Sequence, residues 1–457
     1  MVEQFDTIVI GSGSGMLIAS VAVEQGQKVA LVESGRMGGT CINRGCVPSK
    51  MLIYPADVAA TLKDSEKIGI KASINQMDFQ NIMTRMHTLV DGDSNMQAQG
   101  VEQTPNLTWF KETGEFISDY TMQVGTHTIT AKKIYIVSGA RSAIPPIKDL
   151  ERINYLTSDN VLQLQEPPKS ILIVGGGYIG VEYGHFFAGM GIKTTIIQRL
   201  PKLIPEEEPE VSDLLKLELE KRVDIHLNLE AVEARQEPDG VVLTTKNLID
   251  GSVEEFKAER LMIATGRVSN ANILRPEKTG VQLDQRGYIQ VNEYLETSKK
   301  NIWAFGDAIG KAMFKHAANF EAGIVWHNSN HDHKVPMNYF AVPHGIFSHP
   351  QVAAIGLKEA EAKAQHKILI GRALYRDTAM GAAMGEPNGF VKVIVEQETG
   401  KILGAHIIGA EASLLIQEIV NAMISGNGTF EPIVQAMHIH PALSEVVQNA
   451  FGNLQPA

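Results

Sequence analysis

The chain begins with an alternation of short apolar runs and glycine-rich turns. Residues 7–10 and 29–32 are apolar or nearly so, and between them lie a glycine-rich stretch at 11–15 and a segment with helical character. Short apolar runs bounded by glycine are typical of buried strands in a parallel sheet. The pattern therefore predicts a strand, a tight turn, a helix and a second strand.

The same pattern returns about 164 residues further along the chain. An apolar run at 170–174 is followed by a glycine-rich turn, a helical segment and a second apolar run at 193–197. Two such units so far apart indicate duplicated domains rather than a solenoid. The predicted fold class is α/β, with two Rossmann-like dinucleotide-binding domains followed by a C-terminal α+β domain.

The first unit contains glycines and an acidic residue that are candidates for binding a nucleotide. Gly11, Gly13 and Gly15 would let the backbone approach a pyrophosphate at a helix N-terminus. Glu33 is placed to accept hydrogen bonds from an adenosine ribose. Because Met16 replaces the third glycine of the G-x-G-x-x-G spacing, an ordinary turn stays open as the alternative.

The second unit has the full glycine spacing and a basic residue after its second strand. Gly175, Gly177 and Gly180 keep the register, while Arg199 stands where an NAD-selective site usually has a carboxylate. An arginine attracts a 2'-phosphate, which favours NADPH. A solvated arginine is the alternative, and the three glutamates at 206–208, predicted to form a solvated turn and helix start, weaken the phosphate argument.

Composition narrows the class of protein. The 457 residues, 44% of them hydrophobic, predict about three domains, and a net charge of −11 argues against nucleic acid or an anionic membrane as a partner. No apolar run reaches the ~18 residues of a membrane span, and the first residues lack the pattern of a signal peptide. With only two cysteines, the expected location is the reducing cytoplasm.

The two cysteines, Cys41 and Cys46, follow the first nucleotide-binding unit closely. Thiols five positions apart at the first turn of a predicted helix can bridge, and a helix N-terminus stabilises a thiolate. The spacing therefore predicts a redox-active disulfide. A structural staple, two buried apolar side chains and a zinc site are the alternatives; no metal site is predicted, because no second ligand pair has the required spacing.

Taken together, these segments resemble the pyridine nucleotide-disulfide oxidoreductases over nearly the whole chain, most closely the mycothione reductases and also the dihydrolipoamide dehydrogenases. The resemblance is carried by both glycine-rich turns and by further motifs that stand in the family's order. These motifs are GGTCINRGCVPSK at 38–50, ATGR at 264–267, WAFGD at 303–307 and HIHPALSE at 438–445.

The resemblance implies bound FAD and a layout in four segments. FAD would lie on the first glycine loop, with Asp307 at its ribityl chain and Lys50, paired with Glu182, near its reactive nitrogen. The resemblance adds to the cofactor-binding residues Gly39, Thr40, Gly139, Gly266 and Gly306. The implied segments are an FAD-binding domain at 1–150, an NAD(P)-binding domain at 151–270, the rest of the FAD-binding domain at 271–336 and a dimerisation domain at 337–457.

The resemblance also implies how the redox centre works. Cys46 would form the thiolate that interacts with the flavin, and Cys41 would exchange with an external disulfide. Exchange needs a group that titrates near neutrality. His440, oriented by Glu445, fits this role, and in the family both residues come from the other subunit. A homodimer and a small-molecule disulfide are therefore the expected partners.

Other histidines are weaker candidates. His327, His331 and His333 are predicted to lie in a polar loop, with a metal site as the alternative. His438 lies two residues before His440. In an extended segment the two side chains point to opposite faces, so only one should reach the substrate.

The substrate is less well defined than the reaction. The stretches 50–58, 266–271 and 439–450 are similar to mycothione reductases, and Val21 and Ala22 stand where glutathione reductases commonly carry a basic residue. We therefore predict an FAD-dependent NADPH:disulfide reductase for a low-molecular-weight thiol disulfide. The alternatives are dihydrolipoamide dehydrogenase, a flavin-dependent NADPH oxidase or transhydrogenase, and a non-catalytic flavin-binding scaffold.

Overall fold

The computed structural model describes residues 1–457 and contains three main sheet regions. The first is a seven-stranded sheet in which the opening strand pairs in parallel with two neighbours, as the apolar runs predict. A strand from much later in the chain also joins this sheet in parallel. In spatial order the strands are Leu107–Phe110, Val29–Val32, Val2–Ile10, His127–Ile136, Thr121–Val124 and Gly114–Ser118, with Ile302–Ala304 pairing beside His127–Ile136.

The second region repeats the parallel arrangement. Its four-stranded parallel sheet is followed by a three-stranded antiparallel sheet. The parallel strands are Asp224–His226, Lys193–Ile197, Ser170–Val174 and Arg260–Ile263, and the antiparallel ones are Leu229–Glu237, Gly240–Asn247 and Val253–Ala258. Ala140–Ser142 pairs with Arg267–Ser269, which joins the first region to the second.

The third region is a six-stranded antiparallel sheet with helices packed against it, which is the predicted α+β unit. The fold class is therefore confirmed. Its strands are, in order, His344–Ile346, Gln351–Gly356, Ile402–Gly409, Phe390–Glu396, Ile368–Leu374 and Gln455–Pro456.

Twelve α-helices and seven short 3-10 helices complete the fold. None of the helices combines the length and the apolar character that crossing a membrane requires. The α-helices are Gly15–Glu24, Gly39–Asn43, Cys46–Asp64, Phe79–Gln103, Tyr178–Gly189, Pro209–Leu219, Lys315–Asn330, Glu359–Lys363, Ala379–Ala383, Ala412–Ile424, Glu431–Gln435 and Glu445–Gly452. The 3-10 helices are Ser65–Ile68, Leu150–Arg152, Val161–Gln163, Ala271–Leu274, Pro276–Thr279, Gly306–Ala308 and Tyr375–Asp377.

The first glycine loop keeps its tight packing although Met16 replaces a glycine. A Cβ on Gly15 would lie 2.9 Å from Cγ1 of Val9, so Gly15 provides the close approach of helix and strand. Gly11 has φ +107°, and a Cβ there would overlap the carbonyl oxygen of Val137. Met16 packs at the edge of the hydrophobic core. The departure at Met16 therefore leaves the loop intact.

Three local expectations were wrong. The predicted redox helix is two helices, because the chain breaks at Arg44 and Gly45 between the two cysteines. His327 lies within the helix Lys315–Asn330 and not in a loop. Glu207 and Glu208 are buried rather than solvated.

A charged cluster explains the burial of Glu208 and ties the second region to the third. The ammonium group of Lys392 lies 3.3 Å from Glu208, 2.8 Å from Glu210 and 2.6 Å from Glu359. Lys392 lies on the C-terminal sheet, and the side chain is 5% exposed. One hydrophobic cluster also joins these two regions and includes Leu52 of the helix that begins at Cys46. The two regions thus share part of their hydrophobic cores.

Candidate active site

The first glycine loop is tied to the end of the second strand by one carboxylate. Oε2 of Glu33 accepts hydrogen bonds from the backbone amide of Ser12 at 3.0 Å and from its hydroxyl at 2.9 Å. Oε1 of Glu33 accepts a third from the amide of Gly35 at 2.7 Å. Glu33 is half-buried and holds the loop, while its contact with an adenosine ribose stays a prediction.

A second turn packs on this loop and makes a backbone-lined cradle. A Cβ on Gly39 would lie only 2.7 Å from Cα of Gly13, and the amide of Gly38 donates to Ser12 Oγ at 3.2 Å. Thr40 follows in the first turn of the short helix that begins at Gly39. Bare backbone beside a helix N-terminus fits the diphosphate of a dinucleotide. These residues therefore fit the adenine-nucleotide half of FAD.

Asp307 lies on the turn Gly306–Ala308, directly after the late strand of the same sheet. The carboxylate accepts no hydrogen bond from the chain, and the nearest cationic atom is Nε of Arg267 at 3.8 Å. Burial raises the pKa of Asp307, and the charges of Arg267 and Lys315 oppose that rise. A half-buried acceptor with free lone pairs suits the hydroxyl groups of a ribityl chain.

Other predicted glycines also lie at turns that need a left-handed backbone. Gly306 has φ +69° and donates its amide to Glu321 Oε2 at 2.6 Å. Gly139 has φ +69°, and its carbonyl accepts from the amide of Asn270 at 3.0 Å. Gly266, with φ +103°, precedes the short strand that links the first two regions.

The two cysteines have opposite pKa shifts. The Cys41 thiol, as a hydrogen-bond donor, is the largest cause lowering the pKa of Cys46 to about 6, and the charge of Lys50 adds to it. The same hydrogen bond raises the pKa of Cys41. In the single chain Cys46 is exposed and Cys41 half-buried. The pair is therefore prepared to hold one thiolate and one thiol, with the charge on Cys46.

Lys50 links the cysteine helix to the second nucleotide-binding region. Its ammonium group donates to both oxygens of Glu182, at 2.9 and 2.8 Å. Glu182 lies on the helix Tyr178–Gly189 and also accepts the backbone amide of Phe347 at 3.0 Å. The Lys50 ammonium stands 4.2 Å from the centre of the Phe347 ring. Three regions of the molecule thus meet at this ion pair.

The second glycine loop has the geometry that its sequence predicts. Gly175 has φ +116°, and a Cβ on it would overlap the carbonyl oxygen of Ala264. A Cβ on Gly180 would overlap the carbonyl oxygen of Gly175, so only a glycine at position 180 lets the helix approach its strand this closely. The loop leaves Gly177 with no neighbour that a Cβ would contact. This fits a second dinucleotide.

Arg199 follows the second strand of this unit. Its Nε lies 3.0 Å from Oε1 of Glu230, and its side chain is 68% exposed. The guanidinium is therefore accessible to a phosphate, but Glu230 competes for it.

The sequence does not predict a polar triad that lies beside the second glycine loop and is centred on the buried Glu207. Glu207 accepts hydrogen bonds from the Tyr178 hydroxyl at 2.6 Å and from Nε2 of His344 at 2.7 Å. The Tyr178 and His344 rings stack with centroids 5.6 Å apart. Glu207 is the middle one of three consecutive glutamates, a pattern typical of a surface turn, so the local sequence does not predict that it is buried.

The C-terminal histidines have different surroundings. Nδ1 of His440 lies 2.9 Å from Oε1 of Glu445, whose other oxygen accepts the amide of Ala442 at 3.2 Å. The side chain of His440 is 75% exposed, whereas that of His438 is 7% exposed and lies against Glu418 at 3.1 Å. Only His440 is free to meet another molecule, and its segment carries the exposed side chains Met437 and Ile439.

Comparisons with known proteins all point to the same protein family. The sequence profile of the family described as pyridine nucleotide-disulphide oxidoreductase matches residues 5–322, and that of the family's dimerisation domain matches residues 342–451. Mycothione reductase of Mycobacterium tuberculosis is 34% identical over 99% of this chain and 100% of its own. Dihydrolipoyl dehydrogenase of Chlamydia pneumoniae is 34% identical over 98% of this chain and 96% of its own.

The solved structures include a close match in fold. The Cu(II) complex of the HOCl-induced flavoprotein disulfide reductase RclA from Escherichia coli superposes with a TM-score of 0.88. The two proteins are 26% identical, and the match covers 99% of each chain.

Proposed function

Because the chain belongs to the pyridine nucleotide-disulphide oxidoreductase family, we propose that it is an NADPH-dependent reductase of a low-molecular-weight thiol disulfide, similar to mycothione reductase. One observation carries the proposal: the Cys41–Cys46 pair, with its asymmetric pKa values, stands at the start of the helix whose Lys50 binds Glu182 of the second nucleotide unit. The pair thus adjoins both nucleotide units.

Each residue of the redox centre has a separate role in the proposed reaction. Bound FAD would supply the transfer of two electrons from the nicotinamide to the disulfide. Lys50 and Glu182 hold the two nucleotide units together at that point, and the charge of Lys50 favours the Cys46 thiolate while that of Glu182 opposes it. Cys46 keeps the thiolate, because its lowered pKa makes it the weaker base of the pair.

Exchange with the substrate then runs through Cys41. His440 takes the proton of the Cys41 thiol, and the resulting thiolate attacks one sulfur of the substrate disulfide, whose S–S bond breaks as the first substrate thiol leaves with that proton. The thiolate of Cys46 next attacks the Cys41 sulfur of the mixed disulfide, which restores the protein disulfide and releases the second substrate molecule as a thiolate. Glu445 accepts the Nδ1 proton of His440 and so fixes its orientation.

The proposal includes the division into four segments, the homodimer and a cytoplasmic location. The first sheet takes its late strand from 302–304, which supports an FAD-binding domain split between 1–150 and 271–336. The exposed segment around His440 supports a site completed by a second copy of the chain. The absence of cysteines outside the redox pair supports a reducing location.

NADPH is the proposed donor because Arg199 is exposed at the end of the second strand. Replacing it by alanine should lower kcat/KM for NADPH about tenfold, with little effect on NADH, since only NADPH carries the 2'-phosphate. Glu230→Gln is the matched variant: it frees Arg199 and should improve kcat/KM for NADPH. If the ratio of kcat/KM for NADPH to kcat/KM for NADH is unchanged in both variants, residues other than Arg199 set the preference for NADPH.

The deciding experiment is steady-state turnover of the purified flavoprotein with each nicotinamide against disulfides of mycothiol, glutathione, bis-γ-glutamylcystine, coenzyme A and lipoamide. NADPH-driven reduction of one sugar-linked or amino-acid-linked disulfide is the expected result. Turnover only with NADH and lipoamide would replace the proposal by dihydrolipoamide dehydrogenase, which the Chlamydia pneumoniae relative favours as the second candidate.

The Cys41→Ser variant distinguishes a disulfide reductase or dihydrolipoamide dehydrogenase from an NADPH oxidase or transhydrogenase. Disulfide reduction should vanish, because no sulfur remains to form the mixed disulfide. An enzyme whose main activity uses oxygen or a second nicotinamide would keep full turnover in this variant.

A further inference from the structure

Glu321 is a buried carboxylate that stands behind the turn carrying Asp307. It lies in the middle of the helix Lys315–Asn330 and is 0% exposed. Each of its oxygens accepts one hydrogen bond at 2.6 Å: Oε2 from the backbone amide of Gly306 and Oε1 from the hydroxyl of Tyr339. The proposed reaction gives this carboxylate no role.

The surroundings of Glu321 do not favour a charge. Both of its hydrogen-bond donors are uncharged. Burial raises the pKa of Glu321, and the nearby Asp307 adds to that rise, while the two hydrogen bonds and the charge of Lys311 oppose it. An apolar side chain would avoid the cost of burying an acid, but it would leave the Gly306 amide and the Tyr339 hydroxyl without acceptors.

The turn Gly306–Ala308 is fixed to the helix by this carboxylate. The amide of Phe305, the residue before the turn, still donates to the neighbouring strand, at the carbonyl of Ile136. The next amide, that of Gly306, leaves the sheet and donates to Glu321 instead. A Cβ on Gly306 would lie 3.4 Å from Cβ of Ala318, so the turn also packs closely on the helix. Glu321 therefore holds the residue directly before Asp307.

The direction of Asp307 depends on this support. Its carboxylate accepts no hydrogen bond from the chain, and Nε of Arg267, at 3.8 Å, is the nearest cationic atom. A side chain that lacks hydrogen bonds of its own takes its direction from its backbone and packing. The position of the turn thus decides where the free oxygens of Asp307 stand, and a ligand site needs such support to within about 0.5 Å.

We propose that Glu321 is a positioning residue for FAD: it fixes the turn through the Gly306 amide and so directs Asp307 at the ribityl chain. The assignment rests on the predicted contact between Asp307 and FAD. Tyr339 holds the other oxygen of the carboxylate and lies in the segment that leads from the helix into the C-terminal sheet. The support of the flavin site thus includes a residue close to the C-terminal region.

The test measures the FAD affinity of the full-length chain after removal of its flavin, with flavin fluorescence as the signal, and the ADP affinity by competition with FAD. ADP contains the diphosphate and the adenosine but no ribityl chain, so its binding should not depend on Asp307. Glu321→Met removes both acceptors. Glu321→Gln keeps an oxygen for the Gly306 amide and offers its NH₂ group to the Tyr339 hydroxyl.

Glu321→Met should weaken FAD binding about tenfold or more and leave ADP binding within about twofold, whereas Glu321→Gln should stay within about threefold of the wild type for both. In an Asp307→Ala background, Glu321→Met should cause no further loss of FAD affinity, because both residues act on one contact. Tyr339→Phe removes one hydrogen bond and keeps the ring. It should weaken FAD about threefold, only when Asp307 is present, and it provides the test if Glu321→Met does not fold.

Glu207→Met is the matched control, because Glu207 is also buried and accepts from a tyrosine hydroxyl, that of Tyr178, but beside the second glycine loop. Its FAD affinity should equal that of the wild type, and an equal loss in Glu207→Met and Glu321→Met would overturn the proposal. Equal losses of FAD and ADP affinity, or additive effects of Glu321→Met and Asp307→Ala, would also overturn it and leave Glu321 a purely structural residue.

Two further outcomes separate this proposal from the others. Unchanged FAD affinity in a folded Glu321→Met variant would overturn the role of Glu321 alone. Unchanged FAD affinity in Asp307→Ala would show that the predicted contact of Asp307 with FAD is wrong, and this assignment with it. Neither result would affect the proposed reduction of a disulfide, which the turnover experiment tests independently.

Discussion

Single residues decide where the negative charge of the reduced enzyme lies. Cys46 is the better acid of the pair, because Cys41 donates to it and Lys50 attracts its thiolate. A thiol whose pKa is lowered stays a thiolate until the pH falls through the new value. Cys46 should therefore stay ionised far below the pH at which an ordinary thiol takes up a proton.

Alkylation of the reduced enzyme tests this. With iodoacetamide, the rate at Cys46 should be nearly constant above neutral pH and fall by half near the pKa of about 6, while Cys41 reacts only at higher pH because its pKa is raised. Mass mapping of the two sites gives both curves. The denatured protein is the control, in which the curves should coincide; a Cys46 midpoint near that of the denatured protein would contradict the assigned asymmetry.

The contact between Gly39 and Gly13 gives a second prediction. Gly39→Ala should abolish or greatly reduce FAD binding, because the new Cβ would stand 2.7 Å from Cα of Gly13 and displace the cradle. Flavin absorbance per protein after desalting measures the effect. Gly26→Ala is the control: Gly26 also has positive φ, +76°, but open space, so it should cost about 1 kcal/mol and keep its flavin. Equal flavin loss in both variants would point to backbone strain alone.

The sequence was informative where a residue's role follows from a spacing along the chain. Glu33 is predicted to bind an adenosine ribose because the strand–helix–strand unit puts it at the end of the second strand; the structure has it there, bound to the first loop, and the ribose contact stays a prediction. Glu207 was missed because its partners, Tyr178 and His344, lie far away in sequence. Long-range packing, which no local pattern encodes, decides its burial.

At the scale of elements, one close helix contact joins the two nucleotide units. A Cβ added to Gly189, at the end of its helix, would lie 2.5 Å from Cβ of Ala56 on the helix that begins at Cys46. Gly189→Ala should therefore separate the helices and destabilise the protein by about 1–3 kcal/mol. Gly92→Ala, in a helix with open space, should stabilise it by about 0.5–1 kcal/mol. Midpoints of thermal and urea unfolding measure both, and a neutral Gly189→Ala would mean that the helices separate freely.

The nucleotide units show which elements a sequence can predict. Their strands at 7–10, 29–32, 170–174 and 193–197 all lie within observed strands, because each is a short apolar run between turns. The redox helix was predicted as one element but is two, since glycine at position 45 permits the backbone to change direction between the cysteines. Such a break depends on tertiary contacts and leaves little trace in periodicity.

For the whole molecule, the proposed sharing of the site between two subunits predicts the behaviour of mixed dimers. If His440 serves the cysteines of the other subunit, Cys46→Ser and His440→Ala homodimers are both inactive, but a mixed dimer contains one intact site. Random exchange of equal amounts should restore about a quarter of wild-type activity. The measurement is turnover after unfolding and refolding the two variants together, with each variant refolded alone as control. No recovery, despite mass-verified mixed dimers, would place His440 in the site of its own chain.

Most of what could be predicted about the whole molecule followed from the family resemblance. The predicted dependence on FAD and a nicotinamide nucleotide, and the oxidoreductase class, are confirmed by the family's match. The contacts that unite the regions were not predictable, because Glu208, Glu210, Glu359 and Lys392 read individually as surface charges.

The cluster around Lys392 also limits how the molecule can move. Glu208 and Glu210 belong to the second nucleotide unit, whereas Glu359 and Lys392 belong to the C-terminal unit. A hinge opening between the units would therefore separate Lys392 from two of its three carboxylates and leave the buried Glu208 without this cation, which is costly. Domain opening is therefore a poor route for nucleotide entry and release. We therefore expect nucleotide entry and release to involve local movements at the glycine loops, with the second nucleotide unit and the C-terminal unit staying together.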